Sequence, residues 1–273
     1  MHHQSQPQFF LSLETDCPYL PGKKERKLFT TLTGKTAQLM QNSLSQIGFR
    51  RSQNIVYKPT CADCGGCLSA RIVAASHQLR SSQKKVLSKN KDIVREIRHC
   101  RGTEEQYELF SRYVSSRHVD GGMSDMTVEE YGAMVEEPLV SARMIEYRVL
   151  ENGRPGPLIA CCLTDVIEDG VSMVYSFFDP DQAWRSLGTF MILDHIDLAM
   201  AANLRNVYLG YWVKGSPSMD YKKKFAPLEL YLDNQWQHFD DPMQSQSQPQ
   251  DAQKVLLRAH RALSMRQRNS IER

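Results

Sequence analysis

The chain lacks a hydrophobic run long enough to cross a membrane. Its longest nearly apolar stretch, residues 187–204, is interrupted by Asp194, His195 and Asp197, whereas a spanning helix needs about 20 apolar residues in succession. The first ten residues contain neither a basic segment nor a long apolar one, so a secretory signal is not expected. The sequence therefore predicts a cytoplasmic protein that does not interact with a membrane.

Glycine and proline are not in excess, with 15 Gly and 12 Pro among 273 residues, which excludes a collagen-like or wholly disordered chain. No Gly-x-x-x-x-Gly-Lys-Ser/Thr segment occurs, so a nucleotide-binding loop of that type is excluded. The cysteines number seven, which is odd. Without an export signal, a disulfide scaffold is not expected, and metal binding, catalysis or simple burial remain as their roles.

The net charge is only +3, but the charge is unevenly distributed. From Arg71 to Arg101 there are nine Lys or Arg residues and two acids, Asp92 and Glu96. Such a segment indicates an anionic partner such as nucleic acid, although a solvated basic helix face has the same composition. The lysines in its middle are candidate sites of interaction with that partner: Lys84, Lys85, Lys89 and Lys91.

The spacing of apolar residues predicts an α+β chain. Helices are expected at 36–47, 104–118, 128–135, 186–202 and 218–224, and strands at 51–58, 68–74, 142–150, 158–166, 171–178, 206–213 and 228–232. The order in the second half, β-β-β-α-β-α-β, favours a mixed sheet beside helices. We expect a small cysteine-containing and basic N-terminal region (1–101), a main domain (102–239) and a mobile tail with a short basic helix (240–273).

The segment before the fourth helix has a phosphate-binding pattern. Residues 185–190 read Arg-Ser-Leu-Gly-Thr-Phe, similar to the Arg/Gln-x-x-Gly-x-Gly/Ala turn of GNAT-type N-acetyltransferases. In those enzymes, backbone N–H groups at a helix N-terminus hold the coenzyme A pyrophosphate. Here Phe190 replaces the last small residue, and its ring would obstruct the phosphate. A GNAT-like, acyltransferase-like fold is therefore expected for 102–239, with acetyl-CoA transfer as an alternative function.

The strand 206–213 carries a second candidate site. Gly210 leaves one face of the strand open beside Tyr211 and Trp212, a shape that admits a ligand. Lys214 and Lys222 follow near the end of the strand, where acidic groups would bind. Core aromatics with a solvated lysine run are the alternative interpretation.

A cysteine loop provides a third candidate site. Cys61, Cys64 and Cys67 form two overlapping Cys-x-x-Cys pairs, and thiolates at this spacing on a turn converge on a metal ion. Cys17 would be the fourth ligand. The spacing does not distinguish zinc from an iron–sulfur cluster, and buried idle thiols are the alternative.

Several ordered segments together resemble one protein family. They lie at 16–21, 48–55, 61–67, 117–123, 172–179, 186–188 and 208–212. With these segments the chain resembles the bacterial aspartate/glutamate leucyltransferases, which are relatives of the eukaryotic arginyl-tRNA–protein transferases. The resemblance extends from about Cys17 to Leu232.

The resemblance implies an enzyme of the N-degron pathway. Such an enzyme moves leucine from leucyl-tRNA to proteins with an N-terminal Asp or Glu, which marks them for degradation. The donor ester is already activated, so transfer needs no ATP or other cofactor beyond positioning and oxyanion stabilisation. In the eukaryotic relatives a cysteine set near the start binds a metal. Cys17 matches its first member, Leu20 stands at the second, and the cysteines at 61–67 are able to compensate.

We assign roles on this basis and keep a non-catalytic RNA-binding metal module as a further alternative. The catalytic candidates are Tyr175, Tyr211 and Tyr221. The substrate-binding candidates are Arg185, Gly188, Gly210, Trp212, Lys214 and Lys222, and the basic lysines at 84–91 are assigned to tRNA. An acidic acceptor needs a cationic partner, which we expect to be Arg185, Lys214 or Lys222, with Arg71 and Arg117 next in order.

Overall fold

The computed structural model describes residues 7–117, 125–136, 139–239 and 248–271. In chain order its elements are β1 (Phe9–Leu11), β2 (Thr15–Asp16), β3 (Lys24–Glu25), β4 (Lys27–Thr31), α1 (Ala37–Gln46), β5 (Arg50–Ser52), β6 (Ile55–Pro59), β7 (Cys67–Val73), α2 (Ser81–Lys89), β8 (Ile93–Arg98), α3 (Glu104–Arg117), α4 (Val128–Glu136), β9 (Ala142–Glu151), β10 (Arg154–Ile167), β11 (Gly170–Phe178), α5 (Leu187–Ala201), β12 (Asn206–Val213), β13 (Leu228–Leu232), β14 (Gln235–His238) and α6 (Ala252–Ile271). The predicted α+β class is confirmed.

The chain divides into two compact units, one made of residues 1–73 with 208–273 and one of residues 74–207. The expected boundaries after residues 101 and 239 differ from this division. The physical reason is a long-range pairing: β7 and β12 are neighbours in a sheet, so both ends of the chain fold together. Apolar periodicity reports local structure and carries no signal for such a pairing.

Besides the two-stranded sheet of β2 and β3, the first unit contains two larger sets of paired strands and two packed helices. One sheet has the strand order β1-β4-β6-β5 with antiparallel pairing throughout. In the other, β14, β13, β7 and β12 are neighbours in that order. The segment 51–58, expected as one strand, is instead a hairpin that turns at Gln53, where φ is 50°. None of the helices in the described ranges is long and apolar enough to cross a membrane.

The C-terminal segment is a packed helix and not a mobile tail. Val255, Ala259 and Leu263 are buried at four-residue spacing on α6, which contacts α1. This row of apolar residues is short and flanked by charges, so the sequence predicts only a weak helix. Burial against α1 stabilises α6. The Gln/Ser-rich start of the expected tail, 240–247, lies outside the described residues.

The second unit is an antiparallel sheet covered by helices. Its strand order is β11-β10-β9-β8, and each adjacent pair is antiparallel. Helices α3 and α4 bury Phe110 and Tyr131 against Met144 and Phe177 of this sheet. The predicted helices and strands of this half are found within a few residues of their expected bounds, because each combines a clear apolar period with turn residues at its ends.

Candidate active site

Lys222 is buried in the first unit, and no acidic side chain in the described ranges pairs with it. It lies in the 3₁₀ turn Pro217–Lys224 and is only 3% exposed. Its Nζ donates to the main-chain oxygen of Tyr211 at 2.5 Å and contacts Met219 Sδ at 3.4 Å. Burial and, secondly, the charge of Arg50 lower the pKa of Lys222 to about 7. No carboxylate in the described part of the chain forms an ion pair with it, which favours an external anion.

The guanidinium of Arg50 lies against Gly210. Arg50 stands on β5 and is 8% exposed. Gly210 has a φ of 86°, and a Cβ placed on it would lie 3.1 Å from both Cζ and Nη1 of Arg50. The open face predicted at Gly210 is therefore filled by this guanidinium. Glycine is needed there for its backbone conformation and for the close approach.

Three tyrosines, Tyr19, Tyr57 and Tyr211, act electrostatically on one another, and Arg50 acts on Tyr19 and Tyr211. Tyr211 Oη lies 2.9 Å from the Tyr57 main-chain oxygen and 3.1 Å from that of Gly48, and burial raises the pKa of Tyr211 well above its ordinary value. Burial also raises the pKa of Tyr19 to about 12. The phenols of Tyr19 and Tyr211 are therefore neutral near pH 7. Because the Tyr211 hydroxyl donates to the main chain, its geometry fits a positioning role better than the catalytic role expected for it.

We call this set the basic cluster: Arg50, Lys222, Tyr19, Tyr57 and Tyr211. Both cations are buried, whereas Tyr19 and Tyr57 are half-buried. The charge of Arg50 acts on Lys222, Tyr19 and Tyr211. The cluster therefore combines two basic side chains with three phenols, a combination suited to a carboxylate.

The other predicted residues near β12 lie differently. Trp212 is buried on the opposite face of the strand, packs edge-on against Phe239 at 5.5 Å, and has Lys223 Nζ 5.2 Å from its ring centroid. Lys214 is exposed, and its main-chain N–H donates to Gly66. Tyr221 is 42% exposed. These contacts make Trp212 part of the core of the first unit.

Arg185, in the second unit, is engaged with a carboxylate. Its Nη1 and Nη2 donate to Asp92 Oδ1 and Oδ2, each at 2.7 Å, and the Asn90 side chain donates to its main-chain oxygen. A buried guanidinium held in this bidentate way stabilises the fold. This ion pair removes Arg185 from the candidates for a substrate carboxylate.

The first turn of α5 is closed by aromatic rings. A Cβ at Gly188 would lie 3.4 Å from Phe178 Cε1, and Phe190 is buried edge-on against Tyr147 at 5.7 Å. The N–H groups of Thr189 and Phe190 donate to the Ser186 oxygen. Amides used in this way are not available to a pyrophosphate.

Tyr175, Arg71 and Arg117 also have structural partners. The half-buried Tyr175 packs against Phe110 in the second unit, and burial raises its pKa. Arg71, in the first unit, pairs with Glu229 at 2.7 Å and covers the ring of Trp236. Arg117 covers the ring of Phe178 in the second unit. Of the predicted residues, the structure brings together Tyr211, Gly210 and Lys222.

The predicted metal ligands share one region of the first unit. Cys17, Cys61 and Cys64 each raise the pKa of the Cys67 thiol, which reaches about 12 mainly through burial. The Gly66 N–H donates to Cys64 Sγ at 3.4 Å. Within the described ranges no group of three or more His, Cys, Asp or Glu side chains is arranged to hold a metal ion. Metal binding would therefore require these thiols to come closer together than they stand.

Known proteins match nearly all of this chain. Residues 15–85 match the family described as arginine-tRNA-protein transferase, N terminus, and residues 105–232 match its C terminus. An aspartate/glutamate leucyltransferase of Ruegeria pomeroyi is 53% identical over 236 residues, covering 86% of this chain and 85% of that protein. The chain belongs to this aminoacyl-tRNA–protein transferase family.

A second relative agrees with this assignment. The aspartate/glutamate leucyltransferase of Dinoroseobacter shibae is 49% identical over 242 residues, with 86% of this chain and 85% of that protein covered.

Among solved structures, the structure of L-PGS from Bacillus licheniformis has a TM-score of 0.41 at 10% identity, covering 75% of this chain and 68% of that one. This value is too low to support an argument about fold.

Arg50, which the structure places in the basic cluster, is not among the residues predicted from the sequence. The signal was present, because Arg50 lies in the segment 48–55 that carries the family resemblance. Its contact with Gly210 joins distant parts of the chain and has no local signature. Residues 118–123 of another family segment, 117–123, lie outside the described residues.

Proposed function

We propose that this protein transfers leucine from leucyl-tRNA to the N-terminal Asp or Glu of other proteins, in the cytoplasm, and thereby marks them for degradation. The observation that carries the proposal is Lys222, a buried ammonium whose described neighbours include no paired carboxylate. It occurs in a family whose relatives are named aspartate/glutamate leucyltransferases. An acidic N-terminal side chain is the anion that such a lysine would bind.

The reaction needs positioning more than acid–base machinery. The neutral α-amine of the acceptor attacks the ester carbonyl of leucyl-tRNA, a C–N bond forms, and the C–O bond to the terminal ribose breaks. The amine proton leaves with the ribose hydroxyl. An α-amine with a pKa near ~8 has a usable neutral fraction at pH 7. Holding amine and ester together supplies most of the acceleration, and no cofactor takes part.

We assign the second unit, with α5, to a GNAT-like acyltransferase architecture. Its strand–turn–helix at β11 and α5 matches the pattern that suggested this fold. Acetyl-CoA is disfavoured as the donor by the ring of Phe190 and by the internal hydrogen bonds of the Thr189 and Phe190 amides. A purely RNA-binding role is disfavoured by the family, whose relatives are named leucyltransferases.

Transfer of labelled leucine tests the proposed function. Leucyl-tRNA is supplied to the protein with peptides starting with Asp, Glu or Ala. We expect label on the Asp and Glu peptides, little on the Ala peptide, and no dependence on ATP or acetyl-CoA once the tRNA is charged. Acetylation from acetyl-CoA without tRNA-dependent transfer would contradict the proposal.

The basic segment is expected to bind tRNA through the lysines of α2 and through Lys91, which follows this helix. Lys84, Lys85, Lys89 and Lys91 are all exposed. Changing all four to Ala should weaken tRNA binding and lower the salt dependence of log K by about 0.7–0.9 for each phosphate that the protein no longer neutralises. Binding measured across a salt series checks this. A Lys→Arg quadruple variant keeps the charge and should bind normally, and an unchanged affinity in the Ala variant would make the segment an ordinary solvated surface.

We also propose that Cys17, Cys61, Cys64 and Cys67 bind one zinc ion or one iron–sulfur cluster. The thiols act on one another electrostatically, and a bound metal would displace their protons. Protein purified anaerobically should carry about one metal centre per chain. Cys64→Ser should lose it, whereas Cys100→Ser, in the other unit, should retain it. Metal-free protein that is stable and fully active would remove this site.

A further inference from the structure

We propose that Arg50 and Lys222 together bind the acceptor's side-chain carboxylate, and that Arg50 distinguishes this carboxylate from an amide. The inference rests on the proposed function and extends it to a residue outside the predicted site. Its basis is the placement of two cations and three phenols in the basic cluster.

The first argument is the position of the guanidinium. Arg50 is paired with Tyr57 in the β5–β6 ladder, and its side chain lies on Gly210, where a Cβ would approach Nη1 at 3.1 Å and Nη2 at 3.2 Å. A bulkier residue at 210 would push the guanidinium away. Gly210 of β12, in a left-handed conformation, therefore leaves the space that the Arg50 side chain occupies. This contact holds the plane of the guanidinium.

The charges of Arg50 and Lys222 also favour a bound carboxylate. Arg50 and Lys222 are both less than a tenth exposed, and the positive charge of Arg50 acts unfavourably on the Lys222 ammonium. Two like charges buried together destabilise one another. A bound carboxylate would reduce this repulsion.

The basic cluster is accessible to an acceptor peptide and is able to distinguish its side chain. Tyr19 and Tyr57 are half-buried, so the basic cluster reaches the surface at its aromatic side. A phenol hydroxyl both donates and accepts hydrogen bonds, so these two side chains are able to bond an acceptor peptide. Asp and Asn have the same shape, so only charge and hydrogen-bond polarity separate them. A guanidinium has donors alone and favours the carboxylate, whose two oxygens both accept.

The test measures acceptor selectivity with the full chain and leucyl-tRNA. Peptides that start with Asp, Glu and Asn are compared, with kcat and KM determined separately. Arg50→Met should raise KM for the Asp peptide about ten- to a hundred-fold and bring the Asp-to-Asn preference near one. Arg50→Lys should restore part of that preference. Leucyl-tRNA binding should stay unchanged in both.

Two further variants make the test decisive. Arg51→Met is the matched control, since the buried Arg51 donates to the Gln53 main-chain oxygen at 2.6 Å and alternates to the other strand face. It should keep the Asp-to-Asn preference. Should Arg50→Met fail to fold, Gly210→Ala retains the charge, displaces the guanidinium and should lower the preference.

The outcomes separate the two proposals. If wild-type protein modifies Asp peptides and Arg50→Met keeps the full preference over Asn, Arg50 does not read the carboxylate, while the proposed function stands. If wild-type protein modifies no acidic peptide at all, the proposed function itself fails.

Discussion

Lys222→Met is expected to lower kcat/KM for Asp- and Glu-starting peptides about ten- to a thousand-fold. The ammonium would donate a charge-assisted hydrogen bond to the acceptor, and loss of such a bond corresponds to about 1.5–4 kcal/mol. The same change should raise the free energy of unfolding by about 1–3 kcal/mol near neutral pH. Methionine has a similar length and needs no solvation, so the uncompensated burial of the ammonium disappears.

The pH dependence of stability follows from the direction in which the pKa of Lys222 is shifted. The folded pKa of Lys222 is lowered from 10.5 to about 7, so above pH 7 the unfolded chain binds this proton more tightly than the folded chain. Wild-type stability therefore rises from about pH 7 to about pH 10.5, and below pH 7 the penalty is fully present. The stabilisation gained by Lys222→Met should shrink as the pH rises through this window.

Lys58→Met is the matched control. Lys58 is also buried in the first unit, its Nζ donates to the Ile47 oxygen at 2.9 Å, and burial lowers its pKa to about 7. It faces the ring of Tyr231 at 4.4 Å. Thermal unfolding should respond to both changes in a similar way, but peptide kinetics should respond only to Lys222→Met. Equal loss of transfer in both variants would contradict a role for Lys222 in acceptor binding.

Gly170→Ala is expected to destabilise the second unit by about 1–3 kcal/mol. A Cβ at Gly170 would collide with the main-chain oxygen of Asn206 and lie 3.0 Å from its carbonyl carbon. Backbone cannot move aside as the end of a side chain can. Asn206 is held there, because its N–H donates to the Asp169 oxygen and its Nδ2 donates to Asp169 Oδ2, each at 3.0 Å. The midpoint of thermal unfolding should fall by about 3–10 °C.

The control for this change is Gly132→Ala in α4. Among the described residues, no atom outside the nearby backbone of α4 lies within 4 Å of a Cβ at Gly132. Alanine should therefore raise the free energy of unfolding by about 0.5–1 kcal/mol through helix propensity. Equal melting temperatures for the two variants would show that the packing of Gly170 on Asn206 relaxes easily.

Local order was predictable from this sequence, and distant contacts were not. Helix α5 and strands β11 and β12 have long apolar patterns bounded by turn residues, and the structure forms them where expected. The N-terminal strands were missed because they are short: β2 and β3 have two residues each. Strands of that length leave no periodic signal.

The candidate site shows the same limit. Lys222 and Gly210 were found because their residue types and neighbours suggest a ligand. Arg185 was equally plausible, since an arginine before a helix is typical of anion binding, but its bidentate ion pair with Asp92 is visible only in three dimensions. Arg50 is the opposite case, because only its contact with Gly210 reveals its role.

The division of the chain has a consequence for protein synthesis. A ribosome delivers Arg50 early and Lys222 late. Residues 74–207 are continuous and are able to fold while synthesis proceeds, since domains form as units when their chain has emerged. The unit that contains the basic cluster must wait for residues 208–273, including the buried side of α6. A nascent chain that stalls before residue 222 therefore cannot assemble the cluster, and acceptor selection arises only when synthesis is nearly complete.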